Sequence, residues 1–493
     1  MSVRVRFAIW VGLVAGLIVG TPAWFWLTSD GELPARDFWF VLGWLVLGAA
    51  TVGVFALLAS TPANAIKLRA NVSIVLVLGA AAVLQGLAVA WVPPVVSEDL
   101  VRYRVDGRMV LEGRSPYLTT PLRWFAGGNG DSADALVRHP AVASVYPPVA
   151  QIWFSIAAWL ENRLLPTTDV PEELNYAQWI NQAPWWERFV VYRAGAAAAA
   201  VVATALLLWI LRQFGASPWW AAVFGWNPLV LMECGGQGHV DVFGIVALLA
   251  CIASLVRGWA ATAGAMIVLA AGVKPQAILL LPLVVIAASG LRWRAFAGAG
   301  CTAVVMFCVM APNSAWQAYI ANVAVFSRAW EANGSIYEAV VRMAQWGDTI
   351  GDRTQIAKSW MRVVSLSLTL LALAMAIWHG LKRADVRTAV GGMYAVMLVL
   401  LLSGSVLYPW YLMWALAPAV LLVGRYGAAA IGWSATVAIS YLLWRYEDWS
   451  LPAWLVAAQY VPVYVVAVME LVAWCRNWGD DLKTNGATRS LSG

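Results

Sequence analysis

Glu98 and Asp99 form an adjacent acidic pair in SEDLVRYRVDGRMVLEGRSPY, Ser97 to Tyr117, a polar stretch that directly follows an apolar run. A carboxylate there can take a proton from a hydroxyl, and a nearby cation can hold a departing anion. On a helix the two acids splay about 100° apart, so they cannot both face one site. Asp99, Arg102, Tyr103 and Asp106 recur at spacings of three and four and share a face. Gly107 and Gly113 allow turns, and Pro116-Tyr117 ends the segment. The same pattern also suits a solvated surface helix with internal ion pairs.

Five other stretches carry residues with chemical options. WNPLVLMECGGQGHVDV, Trp226 to Val242, places Glu233, Gln237, His239 and Asp241 between two apolar runs. His239 and Asp241 could bind a metal or relay a proton, but H-x-D alone is not a metal site, and a polar inter-helix turn that fixes packing accounts for them as well. Lys274, in GVKPQAILLLP with Gln276, sits inside an apolar run where an ammonium needs an anion. That anion is a lipid phosphate or pyrophosphate, or a carboxylate such as Glu233 or Asp241. WEANGSIYEAVVRM and its flank offer Arg328, Asn333, Tyr337 and Arg342 as a sugar or phosphate surface, or as an amphipathic helix on a membrane. Tyr146 opens YPP at the next apolar run, and SVLYPWYLMW holds Tyr408, Trp410 and Tyr411, either an aromatic belt or a platform for a sugar ring.

These residues must be positioned by membrane helices. The 493 residues are 62% hydrophobic and 12% charged, with mean hydropathy +0.72. Soluble domains run near 25% charged. The 31 Trp and 15 Tyr suit headgroup-level rings. The net charge of +6 fits basic cytoplasmic loops; without a basic run interleaved with aromatics it excludes nucleic-acid binding. Five scattered cysteines show no CxxC and no metal-ligand spacing, and pack as small apolar groups.

The pattern predicts an all-α polytopic membrane protein of about 13–14 transmembrane helices. Apolar runs fall at 7–27, 38–60, 71–92, 146–165, 189–211, 219–233, 241–256, 258–290, 295–312, 359–379, 389–407, 409–423, 427–444 and 453–474. The first run reads as a helix rather than a cleaved signal, since no A-x-A site follows it. Division at the polar breaks gives an N-terminal helix pair (1–70) and a module over 71–312 that contains the loop 93–145. A second loop (313–358), C-terminal helices (359–474) and a cytoplasmic tail (475–493) follow. Arg4, Arg6, Lys67, Arg69, Arg292, Arg294, Lys382, Arg383 and Arg387 mark the cytoplasmic side, so both long loops fall outside. This count takes 258–290 as one crossing kinked at Pro275, because halves of about 15 residues span only ~22 Å. It takes 146–165 as a full crossing and puts His239 and Asp241 near the cytoplasmic face; the alternative is that 146–165 dips in without crossing.

DLVRYRVDGRMVLEGRSPY, YPPVAQIW, WNPLVLMECGGQGHVDV, VKPQAILLLP, WEANGSIY and YPWYLMW, in this order, resemble the class C membrane glycosyltransferases. The nearest resemblance is to glycosyltransferase family 87, which includes polyprenyl-phosphomannose-dependent mannosyltransferases. It covers about residues 97 to 414 and implies the class C architecture with long extracytoplasmic loops. It also implies a bacterial inner-membrane enzyme that moves mannose, with inversion, from a polyprenyl phosphate to a lipid-linked or cell-envelope glycan. The family's acidic residue falls on Asp99, the general base by that likeness, with Glu98 as its neighbour. Arg102, Arg104, Lys274, Arg328 and Arg342 become phosphate candidates, and Tyr103, Asp106, Tyr146, Gln276, Asn333, Tyr337, Tyr408, Trp410 and Tyr411 substrate contacts. Relatives often carry His-Pro-Trp-Tyr where this chain has Tyr408-Pro409-Trp410-Tyr411. Tyr408 can donate a hydrogen bond but does not titrate near neutrality. Expected partners are membrane lipids, the polyprenyl-phosphate donor and a glycan acceptor; no cofactor is assigned and a divalent metal is left open. The rival readings are a polyprenyl-lipid transporter, which predicts inverted repeats that are not visible, and a non-catalytic subunit of an envelope-synthesis complex.

Overall fold

A computed structural model describes residues 33–60, 70–94, 96–131, 134, 137–165, 189–310, 314–346, 351–424, 426–445 and 450–489, with isolated helical positions between 9 and 23. Arg4, Arg6, Lys67, Arg69 and the acidic stretch 166–188 lie outside the described residues. The described chain is helical, and its only extended pairing is an isolated bridge between Ala332 and Val406. The helices used below are α1 (Leu33–Ser60), α2 (Ala70–Trp91), α3 (Asp99–Leu111), α4 (Pro148–Leu164), α5 (Val190–Gln213), α6 (Asp241–Val256), α7 (Ala260–Ala271), α8 (Pro275–Ala287), α9 (Arg292–Met310), α10 (Ala315–Ala329), α11 (Ser335–Gln345), α12 (Asp352–Arg383) and α13 (Val386–Ser403). They are followed by α14 (Pro409–Leu421), α15 (Ala428–Leu443) and α16 (Ala453–Arg489). Among the described residues seven helices are long and apolar enough to cross a membrane, and α6, α7, α8, α14 and α15 are shorter apolar helices. The protein is therefore an all-α polytopic membrane protein.

With little hydrophobic driving force between helices in lipid, small residues set their approach. Gly264 of α7 and Gly298 of α9 face each other's helices so closely that a Cβ on either would lie 1.9 Å from a backbone carbonyl oxygen, of Ala295 and Ala261 respectively.

The chain has two ends. At one end α2 closes and α3 begins, and Arg193 at the start of α5 donates to the carbonyls of Ala88 (2.8 Å) and Val92. At the other end the Phe214 carbonyl, just past α5, accepts from Arg387 (2.6 Å) beside the basic end of α12. The two long polar loops share the first end, where Asn322 donates to the carbonyls of Tyr117 (3.1 Å) and Ser144 (3.2 Å).

Two expectations about crossings are overturned. The run 146–165 does not cross. Helix α4 starts where Val149 donates to the Gly272 carbonyl (2.9 Å) and ends where Glu161 accepts from Arg104 (2.8 Å), so both its ends lie against α3 and its neighbours. It packs closely on α3, where a Cβ at Gly107 would lie 2.2 Å from the Phe154 carbonyl oxygen. Nor is 258–290 one kinked crossing. Helix α7 reaches the α4 end at Gly272, and α8 returns to the opposite end, where Ile286 meets Gly380 of α12. Each change alters the crossing count by one and together they cancel, so the loops still share a side.

Helix α3, most of whose residues are buried, is tied down by Arg104, whose guanidinium donates to Glu161 (2.8 Å), Asp134 (2.6 Å) and Asp131 (2.8 Å). Arg108 adds a second cation on Asp131 (2.8 Å) and Asp134 (2.5 Å). Arg104, Asp134 and Glu161 side chains are 3%, 0% and 6% exposed. Removing one partner of such a buried pair leaves the other charge uncompensated, at a cost of roughly 3–5 kcal/mol. Arg104→Ala is therefore expected to lower the thermal unfolding midpoint of the detergent-solubilised protein sharply. A midpoint equal to wild type would refute the clamp.

Candidate active site

Asp99 is the first residue of α3, where a carboxylate sits well against the helix N-terminus. The turn that leads to it is fixed by buried amides. Gln237 accepts from the Val96 backbone (3.2 Å) and donates to the Pro93 carbonyl (3.2 Å). Residues Met232–Gly236 form a π turn, a form that clusters at functional sites. Gln85 accepts from the Gly235 backbone (2.9 Å) and Arg193 donates to the Gly235 carbonyl (3.1 Å). This turn carries Glu233 and His239 up to Asp99.

His239 is fully buried and lies between two carboxylates, with Nδ1 3.6 Å from Asp99 Oδ2 and Nε2 3.2 Å from Glu233 Oε2. The Tyr103 hydroxyl is 3.4 Å from Asp99 Oδ2 and 3.5 Å from His239 Nδ1. Tyr441 donates a short hydrogen bond to Glu233 Oε1. Behind His239, Trp410 stacks at 3.7 Å between centroids, and Tyr408 stacks on Trp410 at 4.6 Å. Lys274 Nζ is 3.4 Å from Asp241 Oδ2, and Trp414 donates to Asp241 Oδ1 (2.9 Å). The Lys274 ammonium also faces the rings of Tyr411 (4.2 Å) and Tyr146 (5.9 Å), in cation–π range.

The Asp99 side chain keeps 31% of its surface open, yet it is set deep among the helices. That depth raises its pKa above the usual carboxylate value, opposed by Lys274 and by hydrogen bonds from Tyr146 and Tyr103. Asp99 thus has an open face, a neighbouring cation and a raised proton affinity, the attributes of a general base. Asp99, His239 and Glu233 are strung in a line rather than gathered round a point. Among the described residues no three His, Cys, Asp or Glu side chains converge as a metal site.

Asp99, Tyr103, Tyr146, Glu233, His239, Asp241, Lys274, Trp410 and Tyr411 come together, with Tyr408 behind Trp410. The expectation that His239 and Asp241 lie on the far side from Asp99 is corrected, because the 146–165 and 258–290 runs do not cross as expected. The aromatic-belt option for YPWY gives way as well, since Trp410 is only 6% exposed and packs into the cluster.

Other expected site residues lie elsewhere. Glu98 turns to Arg138 (2.7 Å). Arg102 and Asp106 pair at 2.8 Å, and Asp106 accepts from Ser144 (2.5 Å) and Gln151 (3.0 Å), so they brace the loop. Arg104 belongs to the clamp. Gln276 is half-buried and makes no hydrogen bond to the cluster, and Arg328 is exposed on α10. Asn333 is buried at a left-handed turn (φ 51°) beside the 332–406 bridge. Tyr337 donates to Glu331 (2.6 Å), and Arg342 binds Glu338 and the Leu451 carbonyl. Sequence reasoning missed Trp414, Tyr441, Arg193 and Gln85. Only Arg193, a charge inside an apolar run, gave any signal.

Beside Lys274 an apolar groove of about 520 Å³ opens between helices, lined by Pro147, Pro148, Pro275, Ile278, Phe307 and Trp316 among others. Two of these prolines are direct chain neighbours of Tyr146 and Lys274.

The model of one protein family, glycosyltransferase family 87, matches residues 145–404, just over half of the chain. The match takes in Tyr146, the Glu233–Asp241 turn and Lys274; Asp99 lies upstream of it and Tyr408–Tyr411 just beyond it. No curated protein matches the chain.

Proposed function

This chain belongs to glycosyltransferase family 87, and from that premise we propose that it transfers a sugar from a polyprenyl-phosphate donor with inversion at the anomeric carbon. The observation that carries the donor class is the position of Lys274, a cation whose charge acts on Asp99 and whose chain neighbour Pro275 lines a largely apolar groove. A phosphate on Lys274 with its aliphatic chain in the groove places the anomeric carbon on the Asp99 side. Asp99 takes the proton of an acceptor hydroxyl as that oxygen attacks the anomeric carbon. The bond to the phosphate oxygen breaks, and the lipid phosphate leaves against the ammonium. A phosphate leaving group needs little acid help, so one base and one cation suffice.

The sugar in this reading is mannose and the acceptor a lipid-linked or envelope glycan. Arg292, Arg294, Lys382, Arg383 and Arg387 gather away from Asp99, so the positive-inside rule supports an extracytoplasmic site in a bacterial inner membrane.

Membranes containing the full chain, given radiolabelled polyprenyl-phosphate mannose, are expected to label a lipid or glycan acceptor. The corresponding nucleotide sugar, in membranes lacking polyprenyl phosphate, is expected to give none. Transfer directly from the nucleotide sugar would overturn the donor assignment.

A further inference from the structure

His239 is the only side chain that touches both Asp99 and a second, fully enclosed carboxyl among the described residues. Neither Glu233 Oε2 nor His239 Nε2 has another hydrogen-bond partner among the described residues. Two lone pairs cannot face each other at 3.2 Å without repulsion, so one of these atoms carries a proton toward the other. Two arrangements with a neutral ring meet that demand; a doubly protonated ring against an ionised Glu233 is the third, and it buries two further charges in a fully enclosed site. In one, Glu233 is the acid and donates to Nε2, which leaves the ring proton on Nδ1. In the other, Nε2 holds the ring proton, Glu233 is a carboxylate, and Nδ1 presents a bare lone pair.

The arrangements differ in what Asp99 meets. With the proton on Nδ1, the ring N–H can donate to the Tyr103 oxygen and faces Asp99 at 3.6 Å, and the Tyr103 hydroxyl is free to donate to Asp99. With Nδ1 bare, the Tyr103 hydroxyl turns to Nδ1, and a bare Asp99 carboxylate would face a lone pair. Of the two neutral-ring arrangements, only the first lets Asp99 stand ionised and ready to accept a proton.

We propose that Glu233 and His239 form a tautomer lock behind Asp99: Glu233, as a neutral acid, holds the ring proton on Nδ1, and Nδ1–H with Tyr103 orients the ionised Asp99. The proposal rests on Asp99 being the base. The lock moves no proton during turnover. Asp99 takes the acceptor's proton and returns it to water through its open face. Glu233 and His239 are positioning residues. The other groups facing them fit this state. Tyr441 satisfies Glu233 Oε1, Trp410 covers the ring face, and Lys274 is engaged by Asp241, so no cation is in contact with Glu233 among the described residues.

Histidine-selective ¹⁵N NMR of the full-length protein reads the tautomer without any substrate. The chain has three histidines, and a His139→Asn, His379→Asn variant leaves His239 alone. The lock predicts the Nδ1–H form; an Nε2–H or doubly protonated ring overturns it. The kinetic arm uses polyprenyl-phosphate mannose. Glu233→Ala is expected to lose about 100-fold in kcat, the low end of what a positioned base contributes. Glu233→Gln, whose amide N–H donates to Nε2 as the acid does, is expected to recover at least about ten-fold of that loss. A Glu233→Gln as inactive as Glu233→Ala would mean that Glu233 must ionise, and the lock is wrong. If wild type transfers nothing from this donor, the functional reading fails while the tautomer measurement still decides the lock.

Discussion

Asp99→Asn is expected to lower kcat about 1,000-fold, within the 10²–10⁴ that a positioned general base contributes. Asparagine keeps the shape and can still accept from Tyr103, so the thermal unfolding midpoint is expected to stay near wild type. Glu98→Gln is the matched control. Its partner Arg138 is 47% exposed, and pairs of that kind contribute about 1 kcal/mol or less. The pH dependence adds a second readout. The base must be ionised, and burial raises the Asp99 pKa against the pull of Lys274, Tyr146 and Tyr103. Activity therefore falls as pH drops through a value above the ordinary carboxylate range, and Asp99 imposes no loss on the alkaline side. Transfer kinetics across pH on wild type, Asp99→Asn and Glu98→Gln would decide it. An Asp99→Asn enzyme with more than a tenth of wild-type kcat would sink the assignment.

The fold class was legible because 62% hydrophobic residues in long runs have few other solutions. The crossings were less so. The length argument against splitting 258–290 assumes that each half faces lipid. Helices α7 and α8 are 12 and 13 residues long, and the backbone at their break is held by protein, as in the Gly272 carbonyl that accepts from Val149. Non-helical backbone at depth is tolerated where protein surrounds it. That single misjudged condition hid the approach of His239 and Asp241 to Asp99. The α3 face was half legible. The i,i+4 spacing groups Asp99 with Tyr103 and Arg102 with Asp106, but the partners that separate the two pairs come from Val142, Ser144 and Gln151. No local pattern in α3 encodes them. Tyr441 was invisible for the same reason, since it lies 208 positions from Glu233.

Lys274→Met tests the leaving-group half of the site, and its expected effect has two separable parts. The first is structural. Asp241 is fully buried, and its Oδ2 has no hydrogen-bond partner besides the Lys274 contact among the described residues. Removing the ammonium strands that carboxylate, at roughly 3–5 kcal/mol. The second is chemical. Loss of the cation proposed to face the departing phosphate is expected to lower kcat about 10²–10³-fold, the scale of losing a single oxyanion-stabilising group. The double variant Lys274→Met, Asp241→Asn separates them. It removes both charges, keeps an oxygen for the Trp414 donor, and is expected to restore the unfolding midpoint. It cannot restore a cation, so transfer should stay as slow as in the single variant. Lys274→Arg keeps the charge between the Tyr411 and Tyr146 rings and is expected to fall between the two. If the neutral double variant regained wild-type kcat, Lys274 would be only the counter-ion of Asp241, and the phosphate would have to be held by a different group.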